Sequence, residues 1–86
     1  MAIKTVVITN DTGIHTRPGN EFVSEAKKFE STVTLEANGK SVNGKSLLKL
    51  LSLGAKKGTE VKVITEGPDA DKAVAKLVDV LANLKD

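Results

Sequence analysis

Thr32-Val33-Thr34-Leu35-Glu36-Ala37-Asn38-Gly39-Lys40-Ser41-Val42 is the stretch on which the fold turns. Val33, Leu35 and Ala37 alternate with Thr32, Thr34 and Glu36, the period-two pattern of a strand with one buried face. Asn38-Gly39 follows, a dipeptide that accepts positive φ at both centres of a two-residue turn, so the chain should return as a short strand around Ser41 and Val42. The same residues open a rival pattern. Gly39-Lys40-Ser41-Val42-Asn43-Gly44-Lys45-Ser46 satisfies G-x-x-x-x-G-K-S, the phosphate-cradling loop of nucleotide-binding parallel sheets. That reading lacks its other parts: no later apolar strand ends in an aspartate for magnesium, and 86 residues cannot supply the large parallel sheet. It predicts magnesium-dependent ATP affinity abolished by Lys45→Ala, whereas the hairpin predicts an antiparallel sheet.

Upstream, Ile3 to Thr9 is rich in valine, isoleucine and threonine and stops at the turn formers Asn10-Asp11-Thr12-Gly13, which reads as a first strand. Phe22, Val23, Ala26 and Phe29 recur at helical spacing, with Pro18 suited to the first helical position. This puts His15 or Thr16 at a helix amino terminus. Gly19-Asn20 offers a competing start, because glycine disfavours a helix and asparagine caps one. Downstream, Ser46 can cap a brief helix, Leu47 to Leu53, closed by Gly54, and Glu60 to Glu66 alternates as another strand. Gly67-Pro68-Asp69 leads into a helix with Ala70, Ala73, Val74, Leu77, Leu81 and Leu84 on one face. The expected order is β-α-β-β-α-β-α: an α+β open-faced sandwich, a four-stranded antiparallel sheet with three helices on one face, in one domain over 1–86.

Composition narrows the function. A net charge of +2 with two phenylalanines as the only aromatics argues against nucleic acid binding. No segment approaches the apolar length of a membrane span, Met1-Ala2-Ile3-Lys4-Thr5 is no signal peptide, and there is no cysteine, so the cytoplasm is the expected compartment. A single histidine argues against a metal site, and no cofactor is expected. The lysine doublets Lys27-Lys28 and Lys56-Lys57 could line an acidic partner or only solubilise the surface.

The one histidine and the one arginine, His15 and Arg17, are two residues apart in Gly13-Ile14-His15-Thr16-Arg17-Pro18. A guanidinium grips phosphate through a fork of donors, and an imidazole is the side chain that titrates near neutral pH. At a helix start they adjoin free amides and the positive end of the macrodipole, which bind an anion and keep one ring nitrogen unprotonated for attack on phosphorus. Plain capping by His15 and a solvated Arg17 explain the same residues, so both readings stand at this level.

The whole chain resembles the HPr family, the histidine-containing phosphocarriers of the bacterial phosphoenolpyruvate-dependent sugar phosphotransferase system. The resemblance rests on Gly13-Ile14-His15-Thr16-Arg17-Pro18, Glu25-Ala26-Lys27 before Phe29, Asn38-Gly39-Lys40, Lys45-Ser46-Leu47 and Leu53-Gly54. It implies the fold inferred above. It also implies that His15 accepts a phosphoryl group on Nδ1 from phosphorylated Enzyme I and passes it to IIA domains of sugar permeases, as a carrier and not an enzyme, with Arg17 assisting and Thr16 and Pro18 at the helix start. Partners would dock on the first two helices through Thr16, Lys27, Leu47 and Lys49, with Leu48 in place of a similar large apolar residue and Lys45 in the surrounding ring of charge. A monomer is expected. Ser46 matches the serine that a dedicated kinase modifies in many Gram-positive relatives, recruiting a transcriptional regulator, although Thr16 with Leu47-Leu48-Lys49-Leu50 looks more like the enteric type. Gly19-Asn20 and Ser24 depart from the family pattern. An HPr-like regulatory paralogue, acting by partner binding in a nitrogen-related branch or in transcriptional control, is the alternative.

Overall fold

The computed structural model describes residues 1–85. Its elements are β1 (Ala2–Val7), α1 (Thr16–Ala26), β2 (Thr32–Ala37), β3 (Lys40–Asn43), α2 (Leu47–Ser52), β4 (Glu60–Glu66) and α3 (Ala70–Ala82). The strands form one sheet in the order β1-β4-β2-β3, every pairing antiparallel. Three helices cover one face, as the expected open sandwich requires.

The hairpin closes as its dipeptide predicts. Asn38 (φ 53°) and Gly39 (φ 76°) form the turn, and Leu35 pairs with Val42 and Ala37 with Lys40. This disposes of the phosphate-loop reading, because its eight residues are spread over a turn, a strand and a helix start. Lys45 Nζ donates to the Phe29 carbonyl at 2.8 Å, and Gly44 lies so close to Val33 that a Cβ would stand 2.5 Å from Cγ1. No backbone cradle remains for a nucleotide.

Alternation on the central strands decides which face is covered. Val33, Leu35 and Ala37 on β2 and Val61, Val63 and Thr65 on β4 point under the helices, where they meet Phe22, Ala26, Leu50, Leu77 and Leu81. Truncating a fully buried side chain such as Phe22 should cost about 3–5 kcal/mol. The other face carries Thr5, Lys62, Glu36 and Ser41 in register across the sheet. All six apolar positions read for the last helix are buried, with Leu84 just beyond α3.

Two boundaries differ from expectation. The first strand ends at Val7, two residues before Thr9, because β4 begins only at Glu60 and Gly58 (φ 90°) turns the chain there. Ile8 still bonds to that turn, donating to Thr59 O at 2.9 Å and accepting from Gly58 N at 2.7 Å. The second helix ends at Ser52, with Leu53 as its C-cap and Gly54 at φ 66°. Asp69 occupies the N-cap of α3 but makes no side-chain cap. Its carboxylate instead accepts from the Glu30 and Ser31 amides at 3.0 and 2.9 Å and from the Ser31 hydroxyl, stitching the α1–β2 loop to the start of α3. These donors, the Ser31 hydroxyl first, hold the carboxyl below its ordinary value.

Candidate functional site

Helix α1 begins at Thr16, with His15 at its N-cap in extended conformation (φ −128°, ψ −166°). The Gly19 amide donates to the His15 carbonyl at 2.7 Å, the first helical bond. The alternative start at Asn20 is therefore wrong. Gly19 is buried where α1 meets α2, a Cβ there standing 2.8 Å from the flexible tip of Leu47, and it does not end the helix early. Pro18 is the third helical residue, where expectation put it first; the amide it lacks would have had no intrahelical acceptor at either position.

The His15 side chain makes no capping hydrogen bond, and the first turn holds no acidic residue. The amides of Thr16 and Arg17 consequently have no acceptor within the helix and no carboxylate beside them. His15 is half-buried; its Nε2 is shut from solvent without a hydrogen-bond partner. Arg17 and Thr16 are exposed, and among the described residues Arg17 forms no ion pair, the pairs present being Lys28–Glu25 at 3.2 Å and Lys57–Asp11 at 3.1 Å.

Backbone contacts hold the segment leading to His15. Gly13 adopts φ 68° and lies against the loop after α2 so tightly that a Cβ would stand 2.3 Å from the Ala55 carbonyl oxygen. Ile14 donates to that same carbonyl at 3.0 Å and buries its side chain in the core. Asn10, itself buried, donates from Nδ2 to the Gly13 carbonyl at 2.8 Å. Sequence reading found Gly13 and the turn but missed Asn10 as a buried brace and Ala55 as an anchor. A backbone carbonyl leaves no signal in side-chain identity.

The second cluster is the surface of α2. Leu50 and Leu53 are buried, Leu47 is half-buried against Gly19, and Leu48 is 77% exposed. The leucines of this segment thus separate into core and surface. Lys49 is exposed on the same helix, and Lys27 is exposed as the C-cap of α1. Lys45 is half-buried and its ammonium donates to the Phe29 carbonyl at 2.8 Å. Ser46 caps α2, its Oγ accepting from the Lys49 amide at 3.3 Å.

A cleft of about 450 Å³ has Glu36, Ser41 and Lys62 in its lining and another of about 440 Å³ has Val33, Ser41 and Asn43, and neither includes His15. Among the described residues no helix is long and apolar enough to cross a membrane.

An open sandwich that presents a histidine at an uncapped helix start defines a phosphocarrier-like architecture, and the comparisons with known proteins agree. Residues 2–83 match the family described as the PTS HPr component phosphorylation site. Phosphocarrier protein HPr of Vibrio cholerae serotype O1 is 49% identical over 81 residues, covering 94% of this chain and 95% of that protein. HPr-C-His from Thermoanaerobacter tengcongensis superposes with a TM-score of 0.90 at 42% identity, covering 94% of this chain and 91% of that one. Crh, the catabolite repression HPr of Bacillus subtilis, gives a TM-score of 0.72 at 40% identity, with 95% and 98% covered. The chain belongs to the HPr family of phosphocarrier proteins of the phosphotransferase system.

Proposed function

We propose that this protein is a stoichiometric relay in which His15 takes a phosphoryl group from phosphorylated Enzyme I and delivers it to IIA domains of sugar permeases. The observation that carries the reading is the uncapped start of α1: a histidine at the N-cap whose ring leaves the following amides open. With Nε2 closed off, Nδ1 is the nitrogen available to attack. Its lone pair forms the N–P bond as the bond from phosphorus to the donor breaks, and the phosphoryl oxygens settle on the Thr16 and Arg17 amides and the Arg17 guanidinium. The helix end contributes on the order of 0.3–2 kcal/mol. Much more would defeat a carrier, since each 1.4 kcal/mol of excess stabilisation slows onward transfer about tenfold.

Docking falls to the adjoining surface. Leu48 supplies exposed apolar area, and Lys27 and Lys49 supply charge that guides encounter with acidic partners. The protein acts as a monomer in the cytoplasm. Incubation with phosphoenolpyruvate and Enzyme I should place one acid-labile, base-stable phosphoryl group on each chain, transferable to a sugar-specific IIA domain. No label on the intact protein, or label on a His15→Ala variant, would overturn the proposal.

The similarity to Crh favours a second reading, a regulatory paralogue acting by partner binding. Ser46 is the point at which the two meet. A phosphate there would sit beside Leu47 and Leu48, tolerable to the helix start but hostile to an apolar docking surface. Transfer from His15 to a IIA domain of a nitrogen-related branch, with none to a sugar-specific one, would select the regulatory reading.

A further inference from the structure

As a turn former Asn10 has no need of burial, yet the residue is only 9% exposed. Nδ2 donates to the Gly13 carbonyl at 2.8 Å and approaches Thr12 Oγ1 at 3.5 Å, while the Asn10 backbone carbonyl accepts the Gly13 amide at 3.2 Å. Both backbone groups of Gly13 are therefore bonded to one residue. On its other side Gly13 is pressed against the Ala55 carbonyl, with no space for a side chain, and Ile14 donates to that carbonyl. The peptide entering Ile14 is thus clamped from both sides, two residues before the imidazole. The His15 side chain makes no capping bond and its Nε2 has no hydrogen-bond partner, so the backbone that carries the ring is the part of the residue held by hydrogen bonds.

We infer that Asn10 is a positioning residue for phosphoryl transfer: its amide, bonded to the Gly13 carbonyl, fixes the backbone that aims His15 at the start of α1. The inference rests on the proposed role of His15. Transfer is sensitive to such aim, because a displacement of about 1 Å far from the reacting atoms can cost about a hundredfold in rate. A brace that served only stability would leave the rate per folded molecule unchanged.

The test compares Asn10→Ala, Asn10→Asp and Asp69→Asn with the parent protein. Asn10→Asp keeps the shape of the side chain but at neutral pH offers the Gly13 carbonyl no donor, so it reports even if the alanine variant folds poorly. Asp69→Asn weakens a loop junction remote from His15 and controls for lost stability. Phosphoryl acceptance from Enzyme I is followed against carrier concentration, well below each melting transition. Both Asn10 variants should lose about tenfold in maximal rate with the half-saturating concentration unchanged within about twofold, while still reaching one phosphoryl group per chain. Asp69→Asn should transfer at the parental rate. Parental rates in both Asn10 variants, or an equal slowing by Asp69→Asn at the same loss of melting temperature, would overturn the inference. A parent protein that accepts no phosphoryl group contradicts the proposed function itself and is read separately, in the first incubation.

Discussion

Glycines 13 and 19 flank His15 and do opposite jobs. Gly13 adopts φ 68° and faces the Ala55 backbone, which cannot move aside as a side chain can. Gly13→Ala should destabilise the fold by roughly 2 kcal/mol or more and slow phosphoryl acceptance, measured by urea unfolding and by the transfer assay. Gly19 has ordinary helical φ, and its Cβ would meet only the tip of Leu47, a half-buried and flexible side chain. Gly19→Ala should therefore keep most of the roughly 1 kcal/mol advantage of alanine in a helix and raise the melting temperature. Unfolding at lower temperature would mean that Leu47 cannot yield. Residue identity alone showed that Gly13 belongs to a turn but misjudged Gly19, because helix propensity is local and the contact with Leu47 joins segments far apart in sequence.

Among the elements, the hairpin and the last helix were legible because each satisfies its own periodicity and ends in its own punctuation: Asn38-Gly39 for one, Asp69 before Ala70 for the other. Their neighbours blur the boundaries. Thr9 reads as strand but lacks a strand partner once β4 begins at Glu60, and Asp69, read only as part of the lead into the last helix, gives its carboxylate to Glu30 and Ser31. That carboxylate links stability to pH. Its folded pKa is lowered, so the unfolded chain takes up the proton first; the contribution is complete above the ordinary carboxylate range and is lost as pH falls through the folded value. Unfolding free energies measured from about pH 5 down to about pH 2 should fall more steeply for the parent than for Asp69→Asn. For α2, Ser46→Ala removes the cap to Lys49 and should cost about 1 kcal/mol, leaving label on His15 intact in the phosphorylation assay.

For the molecule as a whole, the placement of apolar surface matters more than net charge, which is only +2. The sheet leaves one face open, the helices close the other, and the proposed site lies on the helix side at the start of α1 beside α2. If Lys27 and Lys49 guide encounter while Leu48 supplies apolar contact, the two should separate experimentally. Raising ionic strength should slow association with Enzyme I, and Lys49→Gln should flatten that dependence. Leu48→Ala should instead weaken affinity at every salt concentration, as titration calorimetry would report. Type and spacing singled out His15 and Arg17 as candidates, whereas Leu48 and the three surrounding lysines came from the family resemblance, which could not show that Lys45 is held by the Phe29 carbonyl.

The central claim is that the imidazole at the open helix start carries the phosphoryl group on the nitrogen that the fold leaves available. It is tested most directly by nitrogen NMR of protein labelled in its one histidine, after phosphorylation by phosphoenolpyruvate and Enzyme I. Phosphorus coupling at Nδ1 of His15 is the predicted result. Coupling at Nε2, or a phosphoryl group on any other residue, would contradict it.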